Sequence, residues 1–258
     1  MSKNILGVQL YSVRQFVGSI KDLDASLRKI ADIGYKAVEF FPFGSASPSE
    51  FAHLVKDHGL VVAGTHTPWN RFLNDLDNVI AEHKQWNCQN AGVSWLPARY
   101  YEPNGIKKFL DDLAPISKKL VQEDITFYYH NHGHELMRIE GKTWLETLYD
   151  KASMSLIKAE LDVYWIQAGG GDPASWIRKY PNRQPLLHLK DMTVGGPWWR
   201  QEQQTVEVGE GNLNWPAILQ AAKESGVQWY IIEQDVSYRS DPFASLRISY
   251  DNLQKMGL

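Results

Sequence analysis

Four short apolar runs in this chain stop at ionisable side chains: Tyr129-His130-Asn131-His132, Leu161-Asp162, Leu187-His188-Leu189-Lys190-Asp191 and Ile232-Glu233-Gln234-Asp235. Asp162, His188 and Glu233 together form a mixed oxygen and nitrogen donor set. Such a set suits Mn²⁺, Co²⁺, Mg²⁺ or Zn²⁺ and leaves coordination positions open for substrate oxygens. A fourth ligand is expected from His130-Asn131-His132-Gly133-His134-Glu135. In an extended chain, alternation puts His130 and His132 on one side and Asn131 on the other. Either histidine could reach the metal while the other binds substrate or moves a proton, since imidazole titrates near neutrality; His130 is favoured as the ligand.

Residues so far apart in sequence meet only if the elements carrying them bring their ends to one place. Strand candidates occur at Ile5 to Leu10, Ala37 to Phe41, Leu60 to Gly64, Ala91 to Trp95, Ile125 to Tyr129, Leu156 to Leu161, Pro185 to Leu189 and Trp229 to Ile232. Between them lie helical patterns. Leu23, Leu27, Ile30 and Ile33 mark one apolar face before Gly34. Ser47-Pro48-Ser49-Glu50 reads as a capping box opening a helix to Asp57 or His58. Further helices are expected over 72–86, 105–122, after Asp172-Pro173, over 214–226 and over 242–256. Eight strand-then-helix units of about 32 residues match a parallel (β/α)8 barrel, whose strand tips converge at one mouth. Asp162, His188 and Glu233 then end neighbouring strands. The first strand leads into Gln9-Leu10-Tyr11-Ser12 with no glycine cluster, which argues against a doubly wound dinucleotide-binding sheet.

At 258 residues the chain has the length of one such barrel, read as a single domain over 1–258 with no linker or low-complexity segment. Its net charge of -3 offers no basic surplus for a phosphate backbone, so nucleic acid is not an expected partner. Cys88 is the only cysteine and cannot form an intrachain disulfide, which fits a cytoplasmic location. The start, Met1-Ser2-Lys3-Asn4-Ile5-Leu6-Gly7-Val8, holds no apolar run long enough for export or membrane anchoring. A small molecule is the expected partner, and a homo-oligomer is compatible with this reading. Tyr11, Glu39 and His66, at other strand tips, offer hydroxyl, carboxylate and imidazole groups for ligand contacts. Trp69, Trp95, Trp165, Trp198 and Trp199 could form flat walls for a ring-shaped ligand, with Trp165 the best placed. The irregular stretch from Thr193 to Leu213 has the length of a lid.

Taken together, Gly7-Val8-Gln9-Leu10-Tyr11-Ser12, Tyr129-His130-Asn131-His132, Leu161-Asp162-Val163-Tyr164-Trp165, His188-Leu189-Lys190-Asp191, Gly209-Glu210-Gly211 and Glu233-Gln234-Asp235 resemble the sugar phosphate isomerase/epimerase family, also called the xylose isomerase-like TIM barrel superfamily. The resemblance spans the chain. It implies a TIM barrel with Glu, Asp, His and Glu at the ends of strands five to eight binding Mn²⁺, Co²⁺ or a similar ion, and Asp162, His188 and Glu233 carry over. Relatives often use the two glutamates to exchange a substrate proton through an enediolate. Here His130 holds the place of the first glutamate. Either His130 is the ligand or Glu135 bends back into the site to meet metal or substrate.

The implied activity is that of a metal-dependent sugar isomerase or epimerase, abstracting a proton next to a carbonyl through a metal-stabilised enediolate. Glu233 is the expected base, with His132 or Lys190 as acid partner. A buried lysine beside a metal can titrate low enough for this work; its alternative is a structural pair with Asp191. The altered strand-five ligand makes a keto-sugar dehydratase or keto-glycoside lyase the runner-up. A noncatalytic sugar-binding subunit and an apurinic-site endonuclease are the remaining readings; the nuclease would need more zinc ligands and a basic groove. No glycine-rich phosphate loop or tight arginine cluster is present, so a neutral sugar or keto-sugar is preferred over a sugar phosphate.

Overall fold

The computed structural model describes residues 5–139, 141–239 and 241–258. Residues 1–4, on which the expectation of no export segment partly rests, lie outside the described residues. Eight strands, β1 Ile5–Gln9, β2 Ala37–Phe40, β3 Val61–His66, β4 Asn90–Val93, β5 Thr126–His130, β6 Lys158–Asp162, β7 Leu186–Leu189 and β8 Trp229–Ile232, close into one barrel. Every neighbouring pair is parallel, and β8 pairs with β1 through Ile5↔Trp229 to Val8↔Ile232. This is the expected (β/α)8 architecture. Parallel pairing puts all eight C-terminal tips at the same rim.

The helices around the barrel are α1 Ile20–Ile33, α2 Pro48–Asp57, α3 Trp69–Asn74, α4 Leu76–Gln85, α5 Gly105–Gln122, α6 Trp144–Lys151, α7 Val163–Ala168, α8 Pro173–Lys179, α9 Trp215–Glu224 and α10 Pro242–Lys255. The capping box opening α2 is present: Ser47 Oγ accepts from Glu50 N, and Ser47 N donates to Glu50 Oε2 at 2.8 Å. The helix expected over 72–86 is broken in two at Asp75, which leaves helical geometry (φ -145°, ψ 30°) and takes the Arg71 guanidinium at 2.7 and 3.0 Å. Sequence periodicity missed the short helices α6 and α7. Each is set by its cap, Thr143 with Glu146 for α6 and Asp162 for α7.

The expected irregular stretch from Thr193 to Leu213 is largely ordered. Asp191–Gly195 and Glu202–Val206 pair as an antiparallel hairpin, and Thr205 Oγ1 donates to Val236 O at 2.9 Å, tying it to the end of β8. Asp191 holds the following turn. Its carboxylate accepts from the amides of Met192, Gly209, Gly211 and Leu213 and from Trp215 Nε1 at 2.6 Å. The expected alternative pairing of Lys190 with Asp191 is therefore replaced: the two side chains leave the strand on opposite sides.

The main apolar core lies between barrel and helices, while a smaller one, Ala37, Ala63, Tyr128, Leu186 and Ile231, fills the barrel's lower interior. Above it the inward positions become polar. Glycines make that transition possible, because a Cβ at Gly92 would overlap the Tyr128 ring and one at Gly64 would meet Tyr128 Oη. With both positions open, Tyr128 crosses the barrel and its hydroxyl reaches Glu39 Oε1 at 2.5 Å.

Candidate active site

Register determines which chemistry meets. His130 pairs with Glu160 across β5 and β6, and Asp162 pairs with His188 across β6 and β7. Glu233 follows β8 at once. One ligand atom from each of His130, Asp162, His188 and Glu233 lies within 4.8 Å of the others, so the four could hold a metal ion. All four are buried, with His130 and Glu233 facing a cavity of about 660 Å³ and Asp162 and His188 behind them.

Local structure fixes each donor. Asp162 Oδ1 caps α7 by accepting from Trp165 N at 3.1 Å, which leaves Oδ2 for the site. Asn131 Oδ1 accepts from Asp162 N at 3.1 Å, a positioning contact that the sequence reading missed. His188 stands between two acidic pairs: Nδ1 lies 3.3 Å from Glu233 and 3.9 Å from Asp162, and Nε2 lies 2.7 Å from Glu39 and 3.4 Å from Glu160.

The donor chemistry fits a divalent cation. Two carboxylates face an imidazole nitrogen in a buried corner, an arrangement that requires positive charge between them. His130 Nδ1 and Glu160 Oε1 are buried and make no hydrogen bond, although His130 Nδ1 is 3.3 Å from Glu160 Oε2. Burial alone would lower the His188 pKa, but Glu160 and Glu39 hold it well above the usual value. Without an ion, the Lys190 ammonium, 2.9 Å from Glu233 and 3.4 Å from Asp162, serves as that positive charge.

Lys190 also enters this corner. Its Nζ lies 2.9 Å from Glu233, 3.4 Å from Asp162 and 2.7 Å from Asp235, with the side chain 1 % exposed. Burial would lower its pKa, but Glu233, Asp162 and Asp235 raise it above the ordinary value. The three carboxylates favour the ammonium form of Lys190, the opposite direction from that expected of a low-titrating lysine acid. That ammonium also sets the state of its neighbours: against burial, Lys190 and then His188 hold the Glu233 carboxyl well below the usual range. Burial raises Asp162 to about 6, with Lys190 pulling against it.

His132 lines the cavity, and burial, with Lys190 adding to it, holds its pKa down to about 3. Its Nδ1 is buried without a partner. It is a neutral imidazole able to accept or donate.

The expected substrate contacts divide. Tyr11 and His66 line the cavity. Glu39 does not reach it: the carboxylate is fully buried and bonded to Gln9, Tyr128 and His188. Glu135 is on the helix side of β5, accepting from Tyr129 Oη at 2.6 Å and His132 N at 2.9 Å, so it does not bend into the mouth. Trp165 packs 5.5 Å from the His132 ring with Lys190 over its face, behind the wall rather than in it. Of the other tryptophans, Trp95 and Trp69 line the cavity, whereas Trp198 and Trp199 are 81 % and 72 % exposed and pack on each other at 5.6 Å.

Sequence reasoning missed Glu160, which is fully buried and takes His66 Nε2 at 2.8 Å. Period-two alternation from Asp162 back along β6 points to it. It also gave no role to Asp235, Thr67 and Ser94, which line the cavity just past the ends of β8, β3 and β4, or to Asn70, which lines it from the first turn of α3.

A family model described as Xylose isomerase-like TIM barrel matches residues 27–255. Among solved structures, a sugar phosphate isomerase/epimerase from Parabacteroides distasonis superposes with a TM-score of 0.85 at 23% identity, over 100% of this chain and 96% of its own. An L-ribulose 3-epimerase gives 0.75 at 14%, over 97% and 93%. A probable 3-DHS dehydratase from Bacillus anthracis gives 0.71 at 12%, over 97% and 98%. At these identities the likeness is one of fold. No curated protein matches the sequence.

Proposed function

We propose, starting from the fact that this chain belongs to the xylose isomerase-like TIM barrel family, that it is a metal-dependent sugar isomerase or epimerase. In this reading it acts on a neutral sugar or keto-sugar by moving a proton next to a carbonyl. The carrying observation is the convergence of His130, Asp162, His188 and Glu233 within 4.8 Å beneath an aromatic-walled cavity. The ligand set would hold a divalent ion, Mn²⁺ or Co²⁺ by resemblance and Mg²⁺ or Zn²⁺ by donor type. Such an ion polarises adjacent carbonyl and hydroxyl oxygens and so acidifies the neighbouring C–H.

This chain's own groups supply the rest. Glu233, kept ionised by Lys190, is the proton acceptor at the cavity floor. His132, kept neutral and unpartnered, is the second proton-carrying group, approaching from another strand. Lys190 supplies a fixed positive charge between Glu233, Asp162 and Asp235 and is not assigned a proton-transfer step. Tyr11, His66 and Trp95 orient the sugar. We place the reaction in the cytoplasm, with a small molecule and not nucleic acid as partner; the net charge of -3 supports the second point.

A second reading has one observation in its favour: strand five ends in His130 where a carboxylate would serve as the second base that returns a proton to carbon. That gives elimination from a keto-sugar or keto-glycoside. The epimerase and dehydratase among the structural neighbours mark these two branches. Incubating metal-loaded protein with keto-sugars in deuterated water, followed by NMR, separates them. Deuterium at the carbon next to the carbonyl with the skeleton intact supports the isomerase reading, a new vinylic signal supports elimination, and no exchange with any metal rejects both.

A further inference from the structure

Beneath the ligand quartet lies a sealed layer that the reaction does not touch. Gln9, Glu39, Tyr128 and Glu160 are fully buried, and none of them lines the cavity. The hydrogen bonds in this layer have a direction that can be worked out from one fixed donor. Tyr11 N–H can only donate, and it lies 3.1 Å from Gln9 Oε1, so that end of the Gln9 amide is the oxygen. Gln9 Nε2 therefore faces Glu39 Oε2, donating at 2.7 Å. As a carboxylate Glu39 can only accept, so the imidazole nitrogen 2.7 Å from the same oxygen, His188 Nε2, brings the proton. The other carboxyl oxygen is held by Tyr128 Oη.

We propose that Glu39 is a positioning residue that fixes the His188 tautomer. It keeps the proton on Nε2, so Nδ1 presents its lone pair to the corner made by Asp162 and Glu233. This inference rests on the metal-dependent reading above. Its chemical logic is general: a ligating imidazole is oriented, and made a better donor, when its second nitrogen donates to a carboxylate. Glu39 does this from a strand that contributes no ligand of its own.

The main competing use of the same layer is a second ion. His66, His130, Glu160 and His188 also offer ligand atoms within 4.8 Å of one another. Two of these imidazole nitrogens, however, already address carboxylates, His66 Nε2 at 2.8 Å from Glu160 and His188 Nε2 at 2.7 Å from Glu39. An ion there would displace both contacts. The geometry favours a proton-bearing support for one ion above it.

The test uses the full chain, zinc, and ¹⁵N-labelled histidine. In the zinc-loaded protein, NMR should show His188 coordinated through Nδ1 with its proton on Nε2. Glu39→Leu, which removes the acceptor at similar size, should weaken zinc binding by about 10–100-fold in competition with a chromophoric chelator and lose that tautomer. Glu39→Gln keeps an acceptor oxygen and should restore the tautomer and most of the affinity, an outcome that a merely space-filling role would not give. If the leucine variant does not fold, the wild-type tautomer and the glutamine variant still decide. Zinc bound through Nε2, or a folded leucine variant as tight as wild type, overturns this inference alone. So do two zincs per chain, one lost in Glu160→Gln, since that makes the lower layer a ligand set. A wild-type protein that takes up no zinc, manganese or cobalt overturns the metal-dependent reading, and this inference with it.

Discussion

The ends of β5 to β8 deliver His130, Asp162, His188, Lys190 and Glu233 to one buried corner at the cavity floor, whereas the segments after β1 to β4 place Tyr11, Phe41, Thr67, Asn70, Ser94 and Trp95 along the cavity wall. The first half is ionisable, buried and cross-bonded within about one imidazole's width. The second is divided between aromatic and neutral polar side chains and borders the cavity. His66 is the exception, reaching from β3 to Glu160 on β6. The difference reflects two requirements. On the proposed reading, the groups that would hold one ion come from adjacent strand ends, while a sugar's flat faces and hydroxyls are met by larger, uncharged surfaces farther up. Reaction and recognition are then separable by mutation.

The largest effect is expected from Asp162→Asn. Asparagine keeps the oxygen that caps α7 through Trp165 N, so the local fold survives while the charge at Oδ2 is lost. Ion affinity should fall by at least about 100-fold and proton exchange should vanish, with metal content after dialysis and deuterium incorporation as the measurements. A variant that keeps its ion and its exchange would erase the distinction between the two halves.

The layers behind the halves differ in the sign of their response to pH. Behind β5, burial raises the Glu135 carboxyl to about 7 from 4.5. The folded protein then holds a proton that the unfolded chain has released, so this contribution to stability falls as pH rises from about 4.5 to 7. Behind β3, burial lowers His83 on α4 to about 4 from 6.5, its Nε2 facing Thr65 Oγ1 at 2.9 Å and its Nδ1 facing Val79 O at 2.7 Å. Its contribution is complete above about 6.5 and is lost as pH falls toward 4. Each difference of about 2.5 in pKa corresponds to roughly 3 kcal/mol, so the two largely offset one another between about 4.5 and 6.5. Urea unfolding across pH should show stability climbing more steeply with pH in Glu135→Gln, and less steeply in His83→Gln, than in the parent. Unchanged slopes would mean that these groups are more hydrated than their burial implies.

The two halves were also unequally legible in the sequence. The ligand quartet stood out because each member ends an apolar run, and a polar residue after a buried strand has few places to go but the rim. Depth was not legible. Glu39 and Tyr11 both look like strand-tip contacts, yet Gln9↔Glu39 pairing and the shift between Val38 and Glu39 sink the carboxylate below the mouth. Stagger around a closed barrel is a long-range property that no single strand displays. Direction was hidden at Lys190-Asp191 for a related reason: alternation says that the two part company, but only the fold says which one faces the mouth. Glu135 belongs to the same class, since a turn after β5 carries it to the helix side, where Tyr129 Oη receives it.

The smallest expected effect tests the recognition half at its most exposed point. Trp95 lines the cavity, its ring 5.5 Å from that of His132, and is not one of the four candidate ligands. Trp95→Ala should therefore raise KM for the sugar by roughly 2- to 10-fold, the scale of one aromatic contact, with kcat nearly unchanged and ion affinity intact. The double variant Trp198→Ala, Trp199→Ala is the comparison. Those rings project from the hairpin and do not line the cavity, so steady-state kinetics should stay at the parent values. A KM increase in the double variant as large as in Trp95→Ala would show that the hairpin folds over the mouth during turnover, and would add β7 to the side that reads the sugar.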